Sequence, residues 1–304
     1  MRRAGRATIL LLLLGAGLSS AQEVAVPPEA VALVDGVAIL RTEVAAEQAR
    51  GGFSPAAALQ RLIGAQVLRG RLVAAGQDPA ALSDADVAKG LEDAQATLRK
   101  AHVPEERIAD LAKFKEQLRV PVAFQRHVDA LVAADEQRGA LAPLLPRLRL
   151  EVAGEVRARV LVVAASAVGG APAALERAKG LLAKLGAAPD DATFAALARE
   201  SSDDPLHALT GGDLDWFAPR AGRLNPAIVE ACCAKTTPGL VPEPVITPRA
   251  VLLVYVTETR FPPDATPERL QAQVLDAAKG RRASELMQAW LRDTPVIYAK
   301  DAPR

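Results

Sequence analysis

Two short runs of β-forming residues constrain the fold more than any other feature of this sequence. Ala158–Val163 has the sequence ARVLVV and Val251–Val256 has the sequence VLLVYV. Runs this short and this apolar, rich in β-branched residues, are typical of buried strands. The residues between them have helical spacing near 173–185, 192–200 and 226–235. The order strand, two helices, loop, helix, strand therefore predicts a compact α+β domain.

The part of the chain before this domain is predicted to be mostly helical. Val31–Leu40 alternates apolar residues around an Asp-Gly turn signal, which predicts a short strand or hairpin leading into a helix. From Pro55 to Gly76 apolar residues recur three and four positions apart, as in an amphipathic helix. We expect Pro121 to break or kink a later helix, and Leu141–Leu150 to form a proline-bearing connector. A long helix after Pro262 and a final strand, VIYA, are predicted to end the chain.

The N-terminal residues have the three parts of a secretory signal peptide. Arg2, Arg3 and Arg6 provide a positive region, Ile9–Leu18 a short apolar run, and Ser19–Ala21 small residues at a cleavage site. A spanning helix needs about 20 apolar residues, so an uncleaved anchor is the less favoured alternative. We therefore expect an exported protein, in a bacterial periplasm or at the cell surface, without stable membrane insertion after signal cleavage.

Composition argues against several other classes of function. Lys and Arg number 37 against 36 Asp and Glu, and aromatic residues make up only 3%, so no nucleic-acid partner is expected. Cys232 and Cys233 are adjacent, a spacing that rarely meets disulfide geometry, and we interpret them as small apolar residues on a helix. His102, His127 and His207 are scattered, so the sequence predicts no metal site and no cofactor.

The stretch Ser201–Phe217, SSDDPLHALTGGDLDWF, is the most specific motif in the chain. Together with the preceding FAALARE it resembles the signature of parvulin-type (PpiC, or rotamase) peptidyl-prolyl isomerases, in which F-A-x-L-A leads to S-x-D-P and then to G-G-D-L-G-W. RLNPAIVEA (Arg223–Ala231) and PGLVPEPVIT (Pro238–Thr247) are similar to two further segments of that family. The resemblance covers about Val156–Thr259.

A weaker similarity extends the resemblance to the rest of the chain. Val31–Val44 and Ala57–Gly76 resemble the helical chaperone domain of SurA-like and PrsA-like exported foldases, and the C-terminal segment resembles the part that returns to complete that domain. The resemblance implies an α+β protein with an antiparallel sheet and surrounding helices. The implied organisation is a signal peptide over 1–21, a helical SurA-N-like domain over 22–152, a parvulin-like domain over 153–260, and a helix and strand over 261–304 that pack on the N-terminal domain.

The resemblance implies a substrate site that needs neither metal nor cofactor. Rotation about an X-Pro bond crosses a barrier of about 18–20 kcal/mol, and a catalyst has to bind the twisted amide more tightly than the planar one. The expected apolar, substrate-binding residues are Leu224, Ile228, Phe217 and Trp216. The alternative interpretation is that these side chains are ordinary core.

The polar residues of the implied site are less complete. Asp204 takes the family's central Cys/Asp position and Thr247 its hydroxyl position, although Asp204 is equally well explained as a turn residue before proline. Both family histidines are replaced, the first by Arg159 and the second by Leu252. We hypothesise an Arg159–Asp204 ion pair, because an unpaired buried charge is costly; alternatively Arg159 points outward on an edge strand. His207 is interpreted as an exposed loop residue without a partner.

The function that these features predict is that of an exported protein-folding factor. It would bind unfolded or nascent exported polypeptides, including proline-containing segments, with isomerase activity weakened or lost. The alternatives are an active peptidyl-prolyl isomerase that uses Asp204 and Thr247, and a docking or assembly module without general chaperone activity.

Overall fold

The computed structural model describes residues 26–303, so the predicted signal peptide lies outside the described residues. The N-terminal elements are, in order, β1 (Ala30–Val34), β2 (Val37–Leu40), α1 (Arg41–Gly51), α2 (Pro55–Ala74), α3 (Asp84–Lys100), α4 (Glu105–Asp110), α5 (Arg119–Gln137) and α6 (Leu145–Ala153). Short 3-10 turns lie at Pro79–Ala81, Leu111–Leu118 and Ala142–Leu144.

The remaining elements alternate strands and helices. They are β3 (Glu155–Ala164), α7 (Ala165–Val168), α8 (Ala171–Leu185), α9 (Asp191–Ser201), α10 (Pro205–Leu209), β4 (Asp213–Phe217), α11 (Pro226–Ala234), β5 (Gly239–Leu240), β6 (Val245–Ile246), β7 (Ala250–Arg260), α12 (Pro267–Arg292) and β8 (Val296–Tyr298). Pro219–Ala221 forms a further 3-10 turn. None of the helices within residues 26–303 is long and apolar enough to cross a membrane.

The described chain divides into two compact units, one formed by residues 26–70 and 290–303 and the other by Arg71–Ala289. In the first unit β1 is the central strand of a small antiparallel sheet with the order β2-β1-β8. All five residues of β1 are buried, and Val31, Ala32 and Val34 share one core cluster with residues of α2 such as Leu59 and Ile63. The predicted hairpin is confirmed, with Val34 opposite Val37 across the Asp-Gly turn.

The helical part of the second unit corrects two expectations. Pro121 does not break a helix, because α5 begins at Arg119 and places the proline in its first turn, where the amide has no helical acceptor to bond. The predicted connector is also partly helical, since α6 begins at Leu145 with a proline as its second residue. Leu148 of α6 packs with Val128 of α5 and Val274 of α12 in one buried cluster.

The same unit contains a five-stranded antiparallel sheet with the order β4-β3-β7-β5, in which β6 also pairs with β7. Each face of the sheet carries its own core, because side chains alternate along a strand. Val160 of β3 and Val254 of β7 lie on the face covered by α11, whereas Leu161 and Leu253 lie on the face covered by α8 and α9. The predicted α+β class, an antiparallel sheet with surrounding helices, is confirmed.

Candidate functional site

The loop that carries the sequence motif is fixed to the outer edge of β3 by its first residues. The Ser202 hydroxyl accepts a hydrogen bond from the Val162 amide at 3.1 Å, and the Asp203 amide donates to the Val162 carbonyl at 2.8 Å. The Asp203 carboxylate accepts from the Ala164 amide at 2.9 Å and from the Arg177 guanidinium of α8 at 2.9 and 3.0 Å. The S-S-D part of the motif therefore holds the loop in place, and its polar groups are already used.

The glycine pair at the other end of the loop makes a second, backbone contact with β3. Gly211 and Gly212 have φ values of 66° and 81°, and the Gly212 carbonyl accepts from the Val160 amide at 2.8 Å. A Cβ atom at Gly212 would lie 2.3 Å from the Val160 carbonyl oxygen. Only glycine fits this position, since any side chain would collide with the strand backbone.

Asp215 replaces a family glycine and keeps the backbone shape that glycine favours. Its φ is 57°, in the left-handed region, and two residues of β4, Leu214 and Asp215, lie opposite the single residue Ala158 of β3. This is a β-bulge, and aspartate is one of the few non-glycine residues that tolerate its backbone angles. The Asp213 carboxylate accepts from the Asp215 amide at 2.9 Å and so stabilises the bulge.

Asp204 and His207 form a hydrogen-bonded pair at the start of α10, contrary to the expectation that His207 has no partner. The His207 ring Nδ1 lies 2.8 Å from Asp204 Oδ2, while Asp204 Oδ1 accepts from the Leu206 amide at 3.0 Å as the N-cap of the helix. Burial alone would raise the pKa of Asp204, but the hydrogen bonds from the His207 ring and from backbone amides outweigh it and hold that pKa below its usual value. Asp204 is thus both the turn residue and the orienting partner of an imidazole.

The predicted Arg159–Asp204 ion pair is wrong. Arg159 makes a two-point contact with Asp191, the first residue of α9, with nitrogen–oxygen distances of 2.7 and 2.9 Å. A third nitrogen donates to the carbonyls of Thr210 and Gly211 at 3.1 and 3.3 Å. The alternative edge-strand reading is wrong as well, because β3 lies between β4 and β7 and the Arg159 side chain is only 14% exposed. The arginine joins β3, α9 and the motif loop.

The Arg159 and Leu252 side chains do not face each other, because they lie on opposite faces of the sheet. Arg159 lies on the face of the sheet that carries α9, whereas Leu252 lies on the opposite face in the cluster with Phe217. The residues of β3 that share the face of Leu252 are Val156, Ala158, Val160 and Val162, and Val162 is directly opposite Leu252 in the register. The prediction that Arg159 takes the place of the first family histidine, facing Leu252, is therefore wrong. The two strands carry aliphatic side chains on this face and no histidine.

The structure gathers three of the four predicted substrate-binding residues in one apolar cluster. Phe217 and Ile228 are 7% and 9% exposed and pack with the strands, while Leu224 is half-buried against the same cluster. Trp216 is not part of this cluster, and the Arg260 guanidinium carbon lies 3.9 Å from the centre of its ring. Phe217 and Ile228 are thus core residues, and Leu224 is the member of the set with an accessible surface.

Thr247 is separated from Asp204 by two strands. The motif loop runs along the outer edge of β3, whereas Thr247 follows β6, which pairs with the far edge of β7. The Thr247 hydroxyl donates to the Ala250 carbonyl at 2.8 Å and accepts from the Ala250 amide at 3.1 Å, so it closes a turn. No hydrogen bond within residues 26–303 joins Thr247 to Asp204, and the two do not form one constellation.

Leu224 lines a cleft of about 650 Å³ within the second unit. One wall consists of the turn Pro219–Ala221 and α11, and the other of α6 and α12. Val229 and Ala277 add apolar surface, and Gly280 of α12 leaves open space, since a Cβ atom there would meet nothing within 4 Å. The volume falls within the range of about 300–1,000 Å³ that is typical of ligand sites.

An ion-pair network closes one side of this cleft. Arg147 of α6 pairs with Glu151 at 2.7 Å and with Glu230 of α11 at 3.3 Å, and Arg281 of α12 pairs with Glu285 at 3.1 Å. Sequence reasoning missed these residues, as it missed Asp191 and Arg177, because the contacts that join different elements, such as Arg147–Glu230 and Arg159–Asp191, link residues that are distant in sequence. Their one sequence signal is charge on a helix face, which usually indicates no more than solvation.

Comparison with known proteins agrees with the motif. Residues 152–260 match the family model described as the PPIC-type PPIASE domain. The protein named Chaperone SurA of Pseudomonas fluorescens Pf-5 is 29% identical over 188 residues, which cover 59% of this chain and 42% of that protein. Chaperone SurA of Chromohalobacter salexigens is 36% identical over 101 residues, which cover 33% of this chain and 22% of that protein. These matches span less than half the length of either relative.

A solved structure, peptidylprolyl isomerase PrsA from Bacillus anthracis, aligns with 77% of this chain and 95% of its own, at 19% identity and a TM-score of 0.35. The motif loop with its glycine pair, the antiparallel sheet and the family match over residues 152–260 all concern the same segment. Residues 152–260 are therefore similar to the parvulin-type, PPIC domain of peptidyl-prolyl isomerases, and the chain is similar in sequence to SurA chaperones.

Proposed function

We propose that this protein is an exported folding factor that binds unfolded or nascent polypeptides, including proline-containing segments, in the cleft beside Leu224. The observation that supports this proposal most directly is that the cleft is open and partly apolar. The polar groups of Ser202, Asp203 and Thr247, by contrast, already form hydrogen bonds within the local structure. Holding an apolar segment requires no titrating group, so this function is compatible with strands that lack histidine. The names of the relatives and the signal-like N-terminus support the same proposal.

Filling the cleft tests this proposal. Gly280→Trp places a large side chain in open space on α12, and replacing a helical glycine does not weaken the helix. We expect the full-length protein to suppress aggregation of an unrelated, chemically unfolded protein, measured by light scattering, and Gly280→Trp to have lost most of this effect.

The matched control is Gly180→Trp, which introduces the same side chain at an exposed helical glycine of α8 that also has open space around it. This variant should behave like wild type. Equal suppression by both variants would reject the cleft as the binding site, and no suppression by wild type would reject the folding-factor proposal, in favour of a module that docks one specific partner.

The Asp204–His207 pair favours isomerase activity as a second candidate function. Asp204 holds the Nδ1 side of the ring at 2.8 Å, which leaves Nε2 directed away from it and able to meet a peptide group. An imidazole fixed in this way would bind the twisted, less conjugated amide more tightly than the planar one. Two leucines of the same short helix, Leu206 and Leu209, are exposed and offer apolar surface.

An assay with a proline-containing tetrapeptide separates the two candidates. If the second candidate is correct, the full-length protein accelerates isomerisation, and both His207→Gln and Asp204→Asn lower kcat/KM, although asparagine preserves the helix cap. If the loop is only structural, wild type and both variants leave the uncatalysed rate unchanged.

A further inference from the structure

The cleft carries one arginine that forms no ion pair with another described residue. Arg220 lies in the turn Pro219–Ala221 between β4 and α11, lines the cleft and is exposed. Within residues 26–303 no carboxylate forms an ion pair with it. Its position is fixed by the 3-10 turn and by the following Gly222, which has a φ of 66°.

The other charged residues of the cleft already have partners. Arg147 and Arg281 lie close to three glutamates, with the distances of 2.7, 3.3 and 3.1 Å given above and two longer contacts of 3.8 and 3.9 Å from Arg281. These two arginines and three glutamates are paired with one another and together carry one net negative charge, so among the residues that line the cleft a carboxylate can be attracted only by close contact with Arg220. Arg220 is therefore the charge most available to an incoming chain.

We infer that Arg220 makes the cleft selective for extended apolar segments that carry an acidic residue. The inference rests on the proposed binding function and names its preferred substrate class. Leu224, four residues after Arg220, would hold an apolar side chain, such as that of leucine or proline, while the guanidinium binds a neighbouring carboxylate. Arginine suits this role because its donors match both carboxylate oxygens.

Reversing one charge on the peptide and one on the protein tests the inference. Two fluorescently labelled peptides would be compared by anisotropy, identical except that one has glutamate and the other lysine beside a Leu-Pro pair. We expect the full-length protein to bind the glutamate peptide about two- to fivefold more tightly at low salt, the size of effect expected from an exposed ion pair. Arg220→Glu should reverse this preference, and raising the salt concentration should reduce both differences.

Arg223→Glu is the matched control, because Arg223 is an exposed arginine of the same turn region that does not line the cleft. This variant should keep the wild-type preference. Equal binding of both peptides by wild type, or the same reversal in Arg223→Glu, would overturn the inference. In the first case Gly280→Trp would still abolish binding, so the proposed function would stand without its charge selectivity. If wild type bound neither peptide, the cleft would be rejected as a binding site and the inference with it.

Discussion

At the scale of single residues, the contact between Arg159 and Asp191 shows how an unusual charge is accommodated on a central strand. Both carboxylate oxygens of Asp191 accept from the guanidinium, and Oδ1 also accepts from the Thr257 hydroxyl at 3.1 Å. The hydrogen bonds from Arg159, which outweigh the opposing effect of burial, hold the pKa of Asp191 below its usual value. The pair therefore ties β3 and β7 to the start of α9.

Replacing Arg159 by methionine should lower the free energy of unfolding by about 1–3 kcal/mol, because Asp191 and the two loop carbonyls lose their donor. Urea denaturation at neutral pH measures this loss. Arg157→Met is the control: Arg157 pairs with Asp213 but its side chain is 38% exposed, so a loss of about 0–1 kcal/mol is expected. Losses of equal size would contradict a special role for Arg159.

The Arg159→Met variant should also change how the free energy of unfolding depends on pH. Because folding lowers the pKa of Asp191, its stabilising contribution is fully present above the pKa of the unfolded chain, about 3.9, and is lost as pH falls through the lower folded value. The difference in stability between wild type and Arg159→Met should be constant near neutrality and shrink below about pH 4. A difference that grew on acidification would show that another group carries the effect.

At the scale of elements, the bulge in β4 places a non-glycine residue, Asp215, in the left-handed region of backbone space. Asp215→Ala should lower the free energy of unfolding by about 1 kcal/mol, since alanine tolerates the left-handed region poorly. Asp215→Gly should be at least as stable as wild type. Thermal unfolding of the three proteins decides the order, and an alanine variant as stable as the glycine variant would argue against backbone strain.

The elements also show how far sequence reasoning reaches. The hairpin around Asp35-Gly36 and the long strands β3 and β7 could be predicted, because alternation and apolar runs are local signals. The partner of Arg159 could not, since an error of one residue in strand register moves a side chain to the other face of a sheet. Arg159 and Leu252 lie on opposite faces of the sheet for this reason. Which face each side chain occupies is set by the pairing of β3 with β7 rather than by any local motif.

Only part of the candidate site could be predicted from the sequence. The glycine pair and the apolar residues Phe217 and Ile228 could be located from the motif, because their spacing reflects backbone and core requirements. The cleft could not be predicted, since it is formed by α6, α11 and α12, which are widely separated in sequence. Exposure decides whether Leu224 or Phe217 can meet a ligand, and exposure is a property of the assembled unit.

At the scale of the whole molecule, the two cysteines report on opening of the core. Cys232 and Cys233 are fully buried in α11 as expected, and burial raises the pKa of each thiol to about 12. Near pH 8 they should react with a thiol reagent such as DTNB only when the core opens, whereas the urea-unfolded protein should react at once with both. Rapid reaction of even one thiol under native conditions would contradict this burial.

The attachment of the motif loop to β3 has a consequence for pairing between this sheet and another extended chain. The amides of Val160, Val162 and Ala164 and the carbonyl of Val162 all point to the outer edge of this strand, and Gly212, Ser202 and Asp203 occupy them. An unoccupied strand edge is a template on which another extended chain can pair. This edge is blocked, so an unfolded polypeptide cannot extend the sheet at Val160–Ala164. An aggregation-prone chain therefore finds no free backbone groups with which to begin a shared β-sheet along this stretch.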